Sequence, residues 1–166
     1  MHGQTRIDPA DAYMESPMND LTNLPAFSAY AAALLLLSLN LIGLANATAV
    51  TRGQASEVIN PEDQALNKKA TVVFEAGNDK TARYRRAHRN ALENVPLFLI
   101  SAFVLTALGA SATVGAALFY PFAALRILYS VCYVKAIQPF RTIFFVLALL
   151  LQGGVLGFIG YYSFAR

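Results

Sequence analysis

Three long intervals of this chain contain no charged residue, and they restrict its fold more than any other feature. The intervals lie between Asp20 and Arg52, between Glu93 and Arg126, and between Arg141 and Arg166. The hydrocarbon core of a bilayer is roughly 30 Å thick, so a spanning helix needs about 20 mostly apolar residues. Within lipid such a run must satisfy its own backbone hydrogen bonds, which favours helices. A composition of 56% hydrophobic and only 14% charged residues excludes an ordinary soluble domain.

The three intervals predict four membrane-spanning helices. Ala26–Val50 forms the first span, and Thr142–Ala165 forms the last. The middle interval is too long for one span, and Gly109–Thr113, with Gly115 just beyond, interrupts it near its centre. We therefore expect a tight hairpin of two helices there, the earlier one beginning near Lys80. The predicted fold class is an all-α, four-helix membrane bundle.

The distribution of basic residues predicts the orientation of the bundle. Ten of the 13 Lys and Arg residues are expected on one face: Arg52, Lys68, Lys69, Lys80, Arg83, Arg85, Arg86, Arg89, Lys135 and Arg141. By the positive-inside rule this face is cytoplasmic and both termini lie outside. Nucleic-acid binding is disfavoured, because the basic residues adjoin helix ends beside lipid and the net charge is only +3.

Residues 1–23 read as a disordered or added leader, and residues 24–166 as the membrane domain. The leader lacks the basic start, apolar core and small-residue cleavage site of a secretory signal. A bacterial inner membrane and an endoplasmic reticulum are both allowed, and the plain leader and loops favour the bacterial membrane. The one cysteine, Cys132, excludes an internal disulfide and a multi-cysteine metal site, and it is predicted to be a packing residue.

Polar side chains follow one face of the second span below the membrane surface. On a helical wheel they form a stripe of Arg83, Arg86, Arg89, Asn90 and Glu93. Arginines at a helix end can serve only as interfacial anchors, which is the preferred interpretation of Arg83 and Arg85. Glu93 lies about 10 Å deeper than Arg86, where an unpaired carboxylate is costly.

The third span carries a matching stripe of Arg126, Tyr129 and Tyr133. Counting from the basic surface places Glu93 and Arg126 at similar depth, so we expect them to form a buried ion pair between facing stripes. Such a pair could merely fix the register of the two helices. The two stripes contain more polar groups than one pair requires, and intramembrane ionisable residues are usually functional, so a ligand cleft is favoured.

The segment RAHRNALENVPLF at residues 86–98 resembles the signature of the MAPEG family, the membrane-associated proteins in eicosanoid and glutathione metabolism. Arg52, NPED at 60–63, LRILYSVCY at 125–133 and Arg141 follow in the family's order, so the resemblance covers roughly residues 24–165. NPED and RAHRN resemble the prostaglandin E synthase branch, whereas Tyr129 and Tyr133 resemble leukotriene C4 synthase. The resemblance implies a homotrimer with a site on the cytoplasmic side.

The resemblance also implies glutathione as the bound thiol and assigns roles to particular residues. Arg86 and Arg89, with Arg52 from a neighbouring subunit, would hold the glutathione carboxylates. Glu93 and Asn90 would bind its ammonium, while Tyr129 and Tyr133 would pack against the tripeptide. Arg126 completes the predicted binding set.

For the chemistry, Arg141 is predicted to stabilise the glutathione thiolate, because Pro139 suits the first turn of a helix and would place Arg141 just inside the fourth span. Thr142 and Asp63 match positions of proton or thiol handling. These residues imply a glutathione-dependent transferase or peroxidase that acts on lipophilic electrophiles or lipid hydroperoxides from the bilayer. Two alternatives stay open: a non-catalytic member that presents lipid to a partner, and a structural membrane subunit.

Overall fold

The computed structural model describes residues 21–75 and 77–165 and contains four long helices. They are α1 (Phe27–Gln54), α2 (Asp79–Ala107), α3 (Ala112–Val134) and α4 (Phe140–Phe164). Each is long and apolar enough to cross a membrane. The predicted all-α fold with four spans is therefore confirmed. Of the predicted leader, residues 1–20 lie outside the described part, and residues 21–23 enter a turn in which the Leu24 amide donates to the Leu21 carbonyl.

Side-chain caps define where α2 and α3 begin. The Asn78 side chain accepts a hydrogen bond from the Thr81 amide at 2.9 Å, and Ser111 caps α3 by accepting from the Val114 amide at 3.3 Å. These caps satisfy amides that the helix itself leaves free. Between α2 and α3 the chain reverses at residues 108–111, where Gly109 has a φ of 79°, a conformation that favours glycine. The predicted tight hairpin is thus present.

Gly115 has a different role from the one predicted, because it lies inside α3 and is buried. A Cβ atom built at Gly115 would lie 2.7 Å from the Ala26 Cβ and 3.2 Å from the Ala26 Cα. Small residues let membrane helices approach closely, and the resulting van der Waals contacts hold the helices together where lipid provides no hydrophobic driving force. Gly115 therefore sets the contact between α3 and the start of α1 and takes no part in the turn.

Replacing Gly115 by valine is expected to lower the free energy of unfolding by about 2 kcal/mol, because the backbone of Ala26 must move to accept the side chain. Thermal unfolding in mild detergent measures the change. Gly43→Val is the matched control, since no atom lies within 4 Å of a Cβ built there, and its effect should stay within about 0.5 kcal/mol. Equal stability of the two variants would contradict the close-contact role of Gly115.

The core between α1, α2 and α3 combines small residues with one aromatic cluster. The Phe98 ring of α2 stacks on the Phe122 ring of α3 at a centroid distance of 3.6 Å and meets the Phe119 ring edge-on at 5.9 Å. In the same buried cluster α1 and α2 present small residues: Ala29, Ala33, Ala87, Ala91 and Ala102. Cys132 is buried on α3 as a free thiol, as predicted for a packing residue.

The connection from α1 to α2 is ordered by its own secondary structure. Strands β1 (Glu57–Val58) and β2 (Thr71–Val72) pair in parallel, and a short 3-10 helix, Pro61–Ala65, lies between them in sequence. The Glu57 carboxylate accepts hydrogen bonds from the Gly77 amide at 3.3 Å and the Asn78 side chain at 3.2 Å. Since Asn78 also caps α2, the connection is fastened to the first turn of that helix.

Candidate functional site

The most deeply buried charge of the site belongs to Arg126 on α3, whose exposed fraction is 1%. Its Nη2 atom donates to the Asn90 side-chain oxygen of α2 at 2.7 Å and to the Asn90 carbonyl at 3.2 Å. Hydrogen bonds between a guanidinium and an amide oxygen are charge-assisted and stronger than neutral ones. This pair joins the two polar stripes that the sequence predicted to face each other.

The predicted ion pair between Glu93 and Arg126 is wrong. In the described residues the single ion pair joins the Arg89 Nε to the Glu93 Oε1 at 4.0 Å, and both side chains are mostly exposed, at 70% and 62%. The buried face of α2 is set by Ala87, Ala91 and their neighbours, and Asn90 lies about 60° closer to that face than Glu93 does. Counting residues from the basic surface predicted the depth of Glu93 in the membrane, but it did not predict the direction in which its side chain points.

A continuous ladder of cations and aromatic rings is formed by Arg126, Tyr129, Tyr133 and Arg141. The Arg126 Cζ lies 4.8 Å from the centre of the Tyr129 ring, and the Tyr129 and Tyr133 rings are 5.7 Å apart. The Arg141 Cζ in turn lies 4.8 Å from the centre of the Tyr133 ring. Cations over aromatic faces are attracted by the ring quadrupole, more so where water is scarce. The ladder connects the helix interior to the start of α4.

Arg141 lies in the first turn of α4, directly after Pro139 and Phe140, as predicted. With the Gln138 amide assigned so that its oxygen faces the guanidinium, that oxygen accepts a hydrogen bond from the Arg141 Nε at 3.1 Å, and the amide nitrogen donates to the Thr142 hydroxyl at 3.2 Å. Gln138 thus orients both residues. Nothing in the sequence pattern singled out this glutamine, since it lies in a short loop with no periodicity.

The other predicted residues lie apart from the ladder. Arg86 and Arg89 line a crevice of about 130 Å³ on the exposed side of α2, together with Glu75 and Arg85. Arg52 is half-buried at the end of α1 and lies beside Thr48, Thr81 and Arg85. Asp63 is in the 3-10 helix, where its carboxylate accepts from the Asn60 side chain at 3.4 Å. Within residues 21–75 and 77–165, no hydrogen bond, ion pair or ring contact joins Arg52 or Asp63 to the ladder.

The sequence analysis also missed a polar contact between α2 and α4. The Gln152 side chain is buried and donates to the Ser101 hydroxyl at 2.9 Å. Ser101 in turn donates to the Leu97 carbonyl of its own helix at 2.6 Å. A glutamine inside an uncharged apolar run is itself a signal, because polar side chains within a membrane span need a partner.

These features define an integral, multi-pass membrane protein whose helices enclose a cationic and aromatic cluster. The sequence model of the MAPEG family matches residues 20–161 and so covers α1 to α3 and all but the last three residues of α4. The chain belongs to the MAPEG family, whose members function in membranes in connection with glutathione and eicosanoids. A search of the curated proteins found no significant match.

Proposed function

We propose that this protein is a glutathione-dependent transferase or peroxidase that acts on lipophilic electrophiles or lipid hydroperoxides. The observation that carries the proposal is the ladder from the buried Arg126 to Arg141 at the start of α4. No carboxylate among the described residues lies within ion-pair distance of Arg126. A buried guanidinium without a counter-charge is costly, and an anionic ligand would offset that cost.

The chemistry of glutathione suits the charged groups on the exposed side of α2 together with the rings of the ladder. Its two carboxylates match the guanidinium groups of Arg86 and Arg89, which line an open crevice on α2. Its ammonium matches the Glu93 carboxylate, which is exposed beside Arg89. The rings of Tyr129 and Tyr133 provide an apolar wall with polar tips against which the tripeptide would pack.

Arg141 is the residue that we assign to thiol activation. A free thiol with a pKa of about 8.5 is mostly protonated at neutral pH, and both a guanidinium and a helix N-terminus lower that pKa. Arg141 combines the two, because it is in the first turn of α4 and is oriented by Gln138 and Tyr133. Bound glutathione would supply the nucleophilic sulfur. Thr142 and Asp63 are proposed to assist in proton handling, Thr142 through its contact with Gln138.

A homotrimer with the site on the cytoplasmic side would complete this arrangement. The exposed strip of α2 continues from Arg89 and Glu93 to Leu97 and Ile100. A carboxylate facing acyl chains is unfavourable, so a strip that mixes charged and apolar groups is better covered by protein than by lipid. A second copy lying there would bring its Arg52 towards the crevice, and the acceptor would enter from the bilayer between helices.

Native mass spectrometry in mild detergent is expected to show a trimer. The same sample should give crosslinks between the exposed strip of α2 in one subunit and α1 of the next. A protein that stays monomeric while it remains folded would contradict the shared site.

Glu93→Gln is expected to weaken glutathione binding about tenfold, because a neutral amide does not compensate the ammonium of the ligand. Isothermal calorimetry measures the affinity, and native mass spectrometry checks that the oligomer is unchanged. Glu62→Gln, a carboxylate of the 3-10 helix, is the matched control. Unchanged affinity in the Glu93 variant would remove this residue from the site.

The decisive experiment for the proposed function combines binding and turnover. Purified protein should bind glutathione but not its diethyl ester, which keeps the thiol and lacks both carboxylates. It should also conjugate glutathione to an aryl halide or reduce a lipid hydroperoxide. Binding without turnover on any acceptor would favour the lipid-presenting alternative, and absence of binding would favour a structural subunit.

A further inference from the structure

A separate cavity lies between α2, α3 and α4, deeper in the bundle than the tyrosines of the ladder. Its volume is about 50 Å³. Each helix contributes to its wall: Asn94 and Leu97 from α2, Phe122 and Arg126 from α3, and Leu149 and Gln152 from α4. Space for a few atoms, with both polar and apolar walls, is enough to hold a small polar group.

Two polar atoms of the cavity walls have no hydrogen-bond partner in the described part of the chain. They are the Arg126 Nε and the Gln152 Oε1, and the two side chains are only 1% and 7% exposed. The other end of each side chain is already fixed, since Arg126 donates to Asn90 and Gln152 donates to Ser101. Both side chains line the same cavity, and these fixed ends restrict where each free atom can turn.

The two free atoms are chemically complementary to one type of ligand group. The Arg126 Nε is a donor and needs an acceptor, whereas the Gln152 Oε1 is an acceptor and needs a donor. An O–H group fulfils both requirements at once, because its oxygen accepts and its hydrogen donates. Leaving both atoms unpaired within a membrane costs more than forming the bonds.

The apolar walls indicate what carries this O–H group. Leu149 lines the cavity and is more than half exposed on the outer surface of α4. A molecule that reaches the cavity from the bilayer would pass beside Leu149, and its chain would stay against apolar side chains of α4. The volume fits a hydroxyl or hydroperoxyl end and leaves no room for the chain itself.

We propose that this cavity binds the hydroxyl or hydroperoxyl end of a lipophilic molecule, held between the Arg126 Nε and the Gln152 Oε1. The site requires neither glutathione nor the chemistry at Arg141, so it stands or fails independently of the proposed function. The chain of the ligand lies in the bilayer along α4.

The test is photolabelling of the purified full-length protein in lipid nanodiscs with a long-chain alcohol that carries a diazirine next to the hydroxyl. Labelled peptides from α2 and α4 are quantified by mass spectrometry. An unlabelled alcohol and a lipid hydroperoxide should both compete. The methyl ether of the same alcohol should compete about tenfold less well, because it lacks the hydrogen that the Gln152 oxygen accepts.

Gln152→Leu should reduce the labelling about tenfold, because it removes the acceptor at similar side-chain size. Thr106→Val is the matched control, since it deletes a buried α2 hydroxyl that bonds only its own helix at the Ala102 carbonyl. If Gln152→Leu fails to fold, the comparison of alcohol with ether in the wild type decides the question. The proposal would be overturned if alcohol and ether compete equally, or if a folded Gln152→Leu variant is labelled as strongly as the wild type. Either result would indicate that the cavity holds only water.

Discussion

Arg141→Ala is expected to lower the turnover of glutathione conjugation about 100-fold while glutathione affinity stays nearly constant. Removing one preoriented group that stabilises anionic charge commonly lowers the turnover rate by this factor. The carboxylate and ammonium contacts belong to other residues, so binding should be spared. Loss of the guanidinium raises the pKa of the bound thiol, and the rate of the variant should therefore recover partly as the pH is increased.

The ultraviolet absorbance of the thiolate, followed against pH with bound glutathione, separates this role from simple positioning. Arg141→Lys should keep part of the effect, because the positive charge remains although the planar fork is lost. Lys68→Ala, in the connection between α1 and α2, serves as the distant control. Identical thiolate titration in wild type and Arg141→Ala would remove Arg141 from the chemistry, and a matching fall in affinity would make it a binding residue.

The second large effect concerns stability and depends on the bond between Asn90 and Arg126. Asn90→Leu should lower the free energy of unfolding by roughly 3 kcal/mol, because it leaves the buried guanidinium of Arg126 without this hydrogen-bond partner. Arg126→Met should cost less, about 1 kcal/mol, since Asn90 is only half-buried and keeps access to other donors.

The double variant Asn90→Leu with Arg126→Met provides the critical comparison. It replaces the polar pair by apolar groups, so it should unfold at a higher temperature than Asn90→Leu alone. A double-mutant cycle from thermal or denaturant unfolding in detergent measures the coupling between the two residues. Additive effects would mean that the two groups stabilise the bundle independently. Neither single variant should bind glutathione with wild-type affinity.

The four spans could be predicted because the energy of placing charge in lipid is large and acts on every residue of a run. Which face of a helix turns towards the core depends on smaller differences in packing energy. Here Ala87 and Ala91 turn their face of α2 towards the core, so Asn90 reaches Arg126 while Glu93 points outward. A helical wheel gives the angles between side chains of one helix, but it does not show which face of the helix is turned towards the core. Periodicity alone therefore grouped Asn90 with Glu93, although only Asn90 contacts Arg126.

The residues that the sequence analysis missed act through individual side-chain contacts. Gln138 orients Arg141 from a loop, and Gln152 meets Ser101 across 51 positions. Neither contact produces a repeating pattern, and neither residue is charged. Arg126, Tyr129 and Tyr133 were found because they recur on one helix face, and their ring contacts now extend that stripe to Arg141.

Helix α4 packs against the bundle through few buried residues, so the surrounding bilayer has a strong influence on its position. Only three residues of this helix, Ala148, Gln152 and Val155, are buried in the described chain, yet α4 carries Arg141. Its 25 residues extend about 37 Å, which exceeds a hydrocarbon thickness of roughly 30 Å, and tilting is one way in which such a helix fits the bilayer. A thinner membrane would increase that tilt and displace the Arg141 guanidinium relative to Tyr133. Lipid chain length should therefore tune thiol activation in reconstituted vesicles, with binding of the tripeptide much less affected.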